Sequence, residues 1–153
     1  MEVKSNHGGL YIFVISQRGG AGIPWYVGKT EARGESSLVN EALHRDKLRK
    51  YARALAEEGS GAARLYFLIP QRGNDGNIDD LETFLIWLAR QQNPRLLNER
   101  KFELTPKRLQ HHFKRHRIAG VMNTGPGQPT AGAISFRKMI GWNKKMLVVG
   151  REI

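Results

Sequence analysis

Two kinds of apolar pattern divide the first hundred residues of the chain. Short runs rich in β-branched and aromatic side chains predict strands at Leu10–Ser16 (LYIFVIS), Trp25–Gly28 (WYVG) and Arg64–Pro70 (RLYFLIP). The Gly- and Pro-containing stretch Arg18–Pro24 separates the first two and predicts a hairpin with a slightly long loop. Apolar residues at helical spacing predict helices between and after them. A first helix is expected from a Ser36 or Ser37 cap to Glu58. Its stripe is Leu48, Ala52 and Leu55, extended upstream by position 44 or 45, and Gly59–Gly61 ends it. A second is expected over Asp79–Gln92, with Leu81, Phe84, Leu85 and Leu88 buried and Pro94 as its stop. The order β-β-α-β-α makes a complete small α/β domain.

Beyond residue 100 the pattern is less regular. Thr105-Pro106 reads as an N-cap with proline in the first helical position, opening a basic helix to about Arg117. Gly120–Gly132 predicts a loop, Thr130–Met139 a further helix and Met146–Val149 a strand. No internal repeat is seen. We therefore expect a domain over residues 8–100 and a C-terminal extension over 101–153.

Charge sharpens that division. The 153 residues carry a formal net charge of +11. Residues 1–100 hold 14 Lys/Arg against 12 Asp/Glu, whereas residues 101–153 hold 11 against 2. A basic segment on a near-neutral body is the electrostatic footprint of a polyanion partner, most commonly nucleic acid. A ribosome or an anionic membrane would satisfy the charge equally. The absence of cysteine excludes disulfides and thiolate zinc sites. The apolar run near the start is too short for a signal peptide or a membrane span, so a cytoplasmic protein is expected.

Four pieces of sequence are candidates for chemistry. The first is Gly9-Leu10-Tyr11 with Tyr26-Val27-Gly28, which puts one tyrosine on each hairpin strand. Two such tyrosines share a sheet face when register and parity agree, and a phenol beside a metal-bound water can relay its proton. The same residues also make a plain hairpin with two packing tyrosines. The second is Lys29-Thr30. It is not a P-loop, because that motif needs a glycine where Ile23 stands. The third is the set of helix cations Arg45, Arg49 and Arg53, with His44 and Lys47 nearby. Arg45 extends the apolar stripe and is expected to face inward, with Arg49 as the next choice. A solvated basic face is the alternative. The fourth is Glu82, which reads either as a metal ligand or, with Asp79, as a capping box.

In the extension, Lys107, Arg108, Lys114, Arg115 and Arg117 would line a nucleic acid, with Leu109 and Phe113 packing the opposite side. His112 and His116 have the spacing of a shared metal, with His111 beside them, but no third ligand is evident. Trp142 with Lys144 and Lys145 is a second candidate contact.

Residues 8–100 resemble the GIY-YIG nuclease family. The resemblance rests on GLY at 9–11, YVGKT at 26–30, an Arg-bearing helix, Glu82, and Pro94 and Asn98 after it. It implies a small α+β domain whose three-stranded antiparallel sheet is flanked by helices. It also implies a metal-dependent endonuclease that hydrolyses phosphodiester bonds, in DNA rather than RNA, leaving 5′-phosphate and 3′-hydroxyl ends. Glu82 would be the sole protein ligand of Mg²⁺ or Mn²⁺. Tyr11 and Tyr26 would act on the attacking water, Arg45 or Arg49 would hold the scissile phosphate, and Lys29 would attract phosphate or position a tyrosine. Gly9, Gly28 and Asn98 would be structural. The connection over residues 31–37 is longer than the family's usual one. Two further readings stay open: a GIY-YIG-like module that binds nucleic acid without cutting it, and a basic accessory protein of RNA or ribosomes.

Overall fold

A computed structural model describes residues 9–30, 38–68, 78–99 and 131–141. Three strands, β1 (Gly9–Ser16), β2 (Ile23–Thr30) and β3 (Ala62–Leu68), form an antiparallel sheet in the order β2-β1-β3. Among the described residues four helices accompany it: α1 (Leu38–Ala42), α2 (Arg45–Glu58), α3 (Ile78–Gln92) and α4 (Ala131–Ile140). The domain is a small α+β unit, as its sequence implies.

Both faces of the central strand are buried, which is why LYIFVIS is apolar throughout rather than alternating. Leu10, Ile12 and Val14 join Val27 and the buried residues of α3 and α4 in one core. Tyr11, Phe13 and Ile15 join Trp25, Tyr26, α1 and α2 in a second core on the other face. Strand parity thus separates two layers of helices. The register slips between Phe13 and Val14, since Phe13 pairs with Tyr26 but Val14 with Pro24. The extra residue, Trp25, therefore sits in a bulge, and Trp25 and Tyr26 both enter the second core.

The expected single helix over residues 37–58 is two. His44 breaks it with an extended backbone (φ −58°, ψ 147°) and caps α2 through Nδ1, which accepts from the Asp46 N–H at 3.4 Å. The buried face of α2 is Tyr51 and Ala54, while Leu48 is 48% exposed and Ala52 is exposed as well. The predicted stripe of Leu48, Ala52 and Leu55 is thereby corrected: of the three, only Leu55 packs against the core. Tyr51 takes its place by stacking on Phe13, with ring centroids 4.1 Å apart and planes 12° apart. Its hydroxyl donates to the Ala42 carbonyl at 2.8 Å and ties α2 to α1. Gly59, in the left-handed region at φ 74°, closes α2 by donating to the Leu55 carbonyl at 3.0 Å.

The helix expected at Thr130–Met139 is α4, one residue later. It lies in the segment read as an extension, yet Phe136, Met139 and Ile140 complete the core beneath α3. Tyr66 of β3 and Ser135 of α4 share a hydrogen bond of 2.5 Å. The cationic positions Lys107, Arg108, Lys114, Arg115 and Arg117, the three histidines between them, and residues 142–153 lie outside the described residues.

β2 is an edge strand, and residues 93–98 cover its outer side. Asn98 does so most directly. Its Oδ1 accepts from the Val27 N–H at 2.9 Å and its Nδ2 donates to the Val27 carbonyl at 2.7 Å, as a paired strand would. Leu97 N–H donates to the Trp25 carbonyl at 2.8 Å, and Asn93 Nδ2 to the Pro24 carbonyl at 2.9 Å. The structural role expected of Asn98 has this physical form. Replacing Asn98 with Ala strands both main-chain groups of the fully buried Val27. It should cost about 2–4 kcal/mol in urea unfolding, from about 1–3 kcal/mol per unsatisfied buried group. A loss below about 0.5 kcal/mol, the ordinary surface range, would contradict this role.

Candidate functional site

Register and parity bring the two motif tyrosines together. Tyr11 pairs with Gly28, and Tyr26 with Phe13, two positions along. Both rings therefore lie on the α1/α2 face, their centroids 6.2 Å apart. Tyr51 joins them, 6.4 Å from Tyr26.

The two motif glycines have distinct packing reasons. The Tyr11 ring crosses β2 at Gly28, where a Cβ would meet Cζ at 2.2 Å and the hydroxyl at 2.3 Å. No larger residue leaves the phenol its path toward the edge of the sheet. At Gly9 a Cβ would meet Leu38 Cδ2 at 2.8 Å and the Leu68 carbonyl oxygen at 3.0 Å, so Gly9 lets α1 close on the end of β1.

Tyr11 is fully buried, and its hydroxyl has no hydrogen-bond partner among the described residues. Burial pushes this phenol well above its ordinary range. Tyr26, Tyr51, Glu41 and Glu82 add to the shift, so carboxylates of both α1 and α3 lie within electrostatic reach of one hydroxyl. Burial also raises Tyr51, with Tyr26 and Glu41 contributing. At neutral pH Tyr11 is a neutral phenol that can donate or accept one hydrogen bond but is not poised to ionise unaided.

Glu82 projects from the first turns of α3, and it is 14% exposed. The capping-box alternative would put Asp79 outside the helix, but α3 begins at Ile78. The carboxylates of Asp79 and Glu82, one turn apart, instead both address Lys29. Lys29 forms an ion pair with Asp79 and approaches Glu82 Oε2 at 3.7 Å. Lys29, expected to attract phosphate or to position a tyrosine, thus lies against the carboxylates of α3. Lys29 lies one residue past Gly28 and so belongs to the opposite side of the strand, which is the side of α3.

The helix arginines do not face the tyrosines. Arg45 is exposed. Arg49 is 66% exposed and pairs loosely with Asp46 at 3.9 Å; Arg53 is 74% exposed and pairs with Glu57 at 3.5 Å. The expectation that Arg45, or failing it Arg49, turns inward is corrected. It followed the Leu48, Ala52 and Leu55 stripe, whereas the buried side of α2 is the neighbouring one of Tyr51 and Ala54. Two lysines occupy the inward side. Lys47 Nζ donates to the Tyr26 hydroxyl at 2.8 Å and lies 5.0 Å from its ring centroid, and Lys50 Nζ lies 4.8 Å from the same centroid. Sequence reasoning passed over Lys50, Tyr51 and Glu41. The usable signal was Lys47, Lys50, Tyr51 and Ala54, which recur at i, i+3, i+4 and i+7 around an aromatic anchor.

Among the described residues no cluster of three or more His, Asp or Glu can hold a metal. The donor set on α3, Glu82 with Asp79 a turn earlier, fits only a hard cation that keeps most of its water ligands, such as Mg²⁺ or Mn²⁺. No helix among the described residues is long and apolar enough to cross a membrane. No family model, curated protein or solved structure matches the chain.

Two predictions follow from the tyrosine geometry. Tyr11→Phe removes a buried hydroxyl that bonds to nothing described, so it should leave stability unchanged or raise it by up to about 1 kcal/mol. Tyr51→Phe removes the bond to Ala42 and should lower it by about 1 kcal/mol. Urea unfolding of both variants measures the contrast, and equal losses would contradict it. The second concerns pH. A folded-state phenol raised above its unfolded value binds its proton more tightly when folded. Its stabilisation is full below the unfolded pKa, about 10, and is lost as pH rises through the folded value. Stability should therefore decline above about pH 10, and Tyr11→Phe should make that decline shallower.

Proposed function

We propose that the chain is a metal-dependent endonuclease that hydrolyses phosphodiester bonds in DNA, with the tyrosine–Glu82 end of the sheet as its active site. One observation carries the reading. The Tyr11 hydroxyl is buried and unpartnered among the described residues, at the end of a phenol that only Gly28 admits, and within the fields of Glu82 and Glu41. An unsatisfied buried polar atom is costly, and such atoms concentrate where a ligand or reacting group supplies the missing bond. The resemblance of GLY and YVGKT to the GIY-YIG motifs supports the same assignment.

In this reading Glu82 would hold a divalent cation, Mg²⁺ or Mn²⁺, which supplies Lewis-acid stabilisation of the leaving 3′ oxygen. The Tyr11 hydroxyl accepts a hydrogen bond from the attacking water and fixes its line of approach. Burial keeps that phenol protonated, so Tyr11 orients the water rather than acting as a standing base. Tyr26, hydrogen-bonded to Lys47, holds a second position on the same face. Lys29 keeps the Glu82 and Asp79 carboxylates together on the α3 side of β2.

Purified protein incubated with plasmid in Mg²⁺, Mn²⁺ or EDTA tests this. Cutting should require the metal and fall about 100-fold or more in both Glu82→Ala and Tyr11→Phe, the scale of losing a positioned proton-transfer or metal-holding group. Equal cutting by wild type and Glu82→Ala would refute it. The outward arginines favour a second reading, a module that binds nucleic acid without cleaving it. Salt-sensitive binding with no cutting of DNA or RNA under any of these conditions would establish that one instead.

A further inference from the structure

Lys47 and Lys50 bring two positive charges to within 5.0 and 4.8 Å of one tyrosine ring. Both side chains are half-buried on the inward side of α2. Neither has a carboxylate within ion-pairing distance among the described residues. Elsewhere on α2, Arg49 has Asp46, Arg53 has Glu57 and Glu58 has Arg95, while Arg45 is exposed. Two partly desolvated ammonium groups about one ring, with no carboxylate in ion-pairing distance, favour an anion beside them. The Tyr26 hydroxyl already accepts from Lys47, so its own proton is free to be donated to that anion. The site therefore presents two ammonium groups and one hydroxyl donor, on the face that carries Tyr11.

We infer that Lys47, Lys50 and the Tyr26 hydroxyl form a binding site for one backbone phosphate of a nucleic acid. A tetrahedral phosphodiester has two non-bridging oxygens, enough to accept from both ammonium groups, or from one and the phenol. Lysine supplies point charge here rather than a planar fork, so the site holds phosphate by charge and not by bidentate geometry. Helix α2 thus contributes phosphate binding through its inward lysines, while its arginines point to solvent. The inference shares with the proposed function a nucleic-acid backbone as ligand, but it does not require that the backbone be cut.

The test is binding of the full chain to a fluorescently labelled DNA duplex in EDTA, read by anisotropy over a salt series, where no cleavage contributes. Lys47→Gln/Lys50→Gln is compared with Arg49→Gln/Arg53→Gln, which removes the same charge from the outward face of the same helix. The lysine pair should lose about tenfold in affinity beyond the arginine pair, and its salt slope should fall by about one more phosphate contact. Equal losses in the two double variants would overturn the assignment. Should the lysine variant fail to fold, the wild type decides by NMR. The Tyr26 ring resonances should shift saturably on titration with the duplex, and more weakly with inorganic phosphate. No shift with either ligand would overturn the site, and a shift with inorganic phosphate alone would overturn its assignment to a polymer backbone.

Discussion

The ring of Tyr11 lies across the main chain of β2 at Gly28, and the second layer of the structure is arranged around that crossing. A side chain at residue 28 would occupy the space of Cζ and the hydroxyl. Strand parity puts Tyr26 on the same face, two positions from the crossing and before the bulge at Trp25. Phe13 and Tyr51 stack alongside, and the Tyr51 hydroxyl fixes α1 to α2. Without the crossing, the phenol would not extend beyond its own strand, and the acids of α1 and α3 would not share its field.

This geometry explains why the two halves of the hairpin motif are mirror images of each other in sequence. Each contributes one ring and one absence of a ring. Gly28 makes room for Tyr11, and Gly9 makes room for α1, which seats Leu38 and Ala42 in the layer that holds both tyrosines. Because β2 is an edge strand, its outward main-chain groups need partners, and the side chain of Asn98 satisfies both groups of Val27. The strand that carries Tyr26, Gly28 and Lys29 is thus held from both sides. A site that must position small groups needs such rigid support.

Opposite signs of charge are sorted by layer. Lys29 leaves β2 toward α3 and meets Asp79 and Glu82, while Lys47 and Lys50 approach the tyrosines from α2. The acids on the α3 side are held by a cation already present in the chain. The cations on the α2 side share the Tyr26 ring and have no carboxylate in ion-pairing distance among the described residues. That asymmetry is what distinguishes the two flanks chemically: the acids of one are ion-paired, and the lysines of the other lie against a ring.

The sequence by itself determined the strand at LYIFVIS, the hairpin, the last helix of the first hundred residues and its buried Phe84, Leu85 and Leu88. These features rest on local propensity and on periodicity uninterrupted by any break. It allowed Tyr11 and Tyr26 to share a face, which the observed register then provides. It left open whether Glu82 caps its helix or serves a site, since both readings use the same residues. It misplaced the inward side of α2, because Leu48, Ala52 and Leu55 make as regular a stripe as the neighbouring Tyr51 and Ala54. Only the tertiary structure could decide that Tyr51 rather than Leu48 faces the sheet, since stacking on Phe13 is a contact across 38 residues of chain. The same holds for the meeting of Lys29 with Glu82, and for α4 closing the core from beyond residue 130. Such contacts are chosen by packing between elements, and periodicity within one element carries no record of its partner.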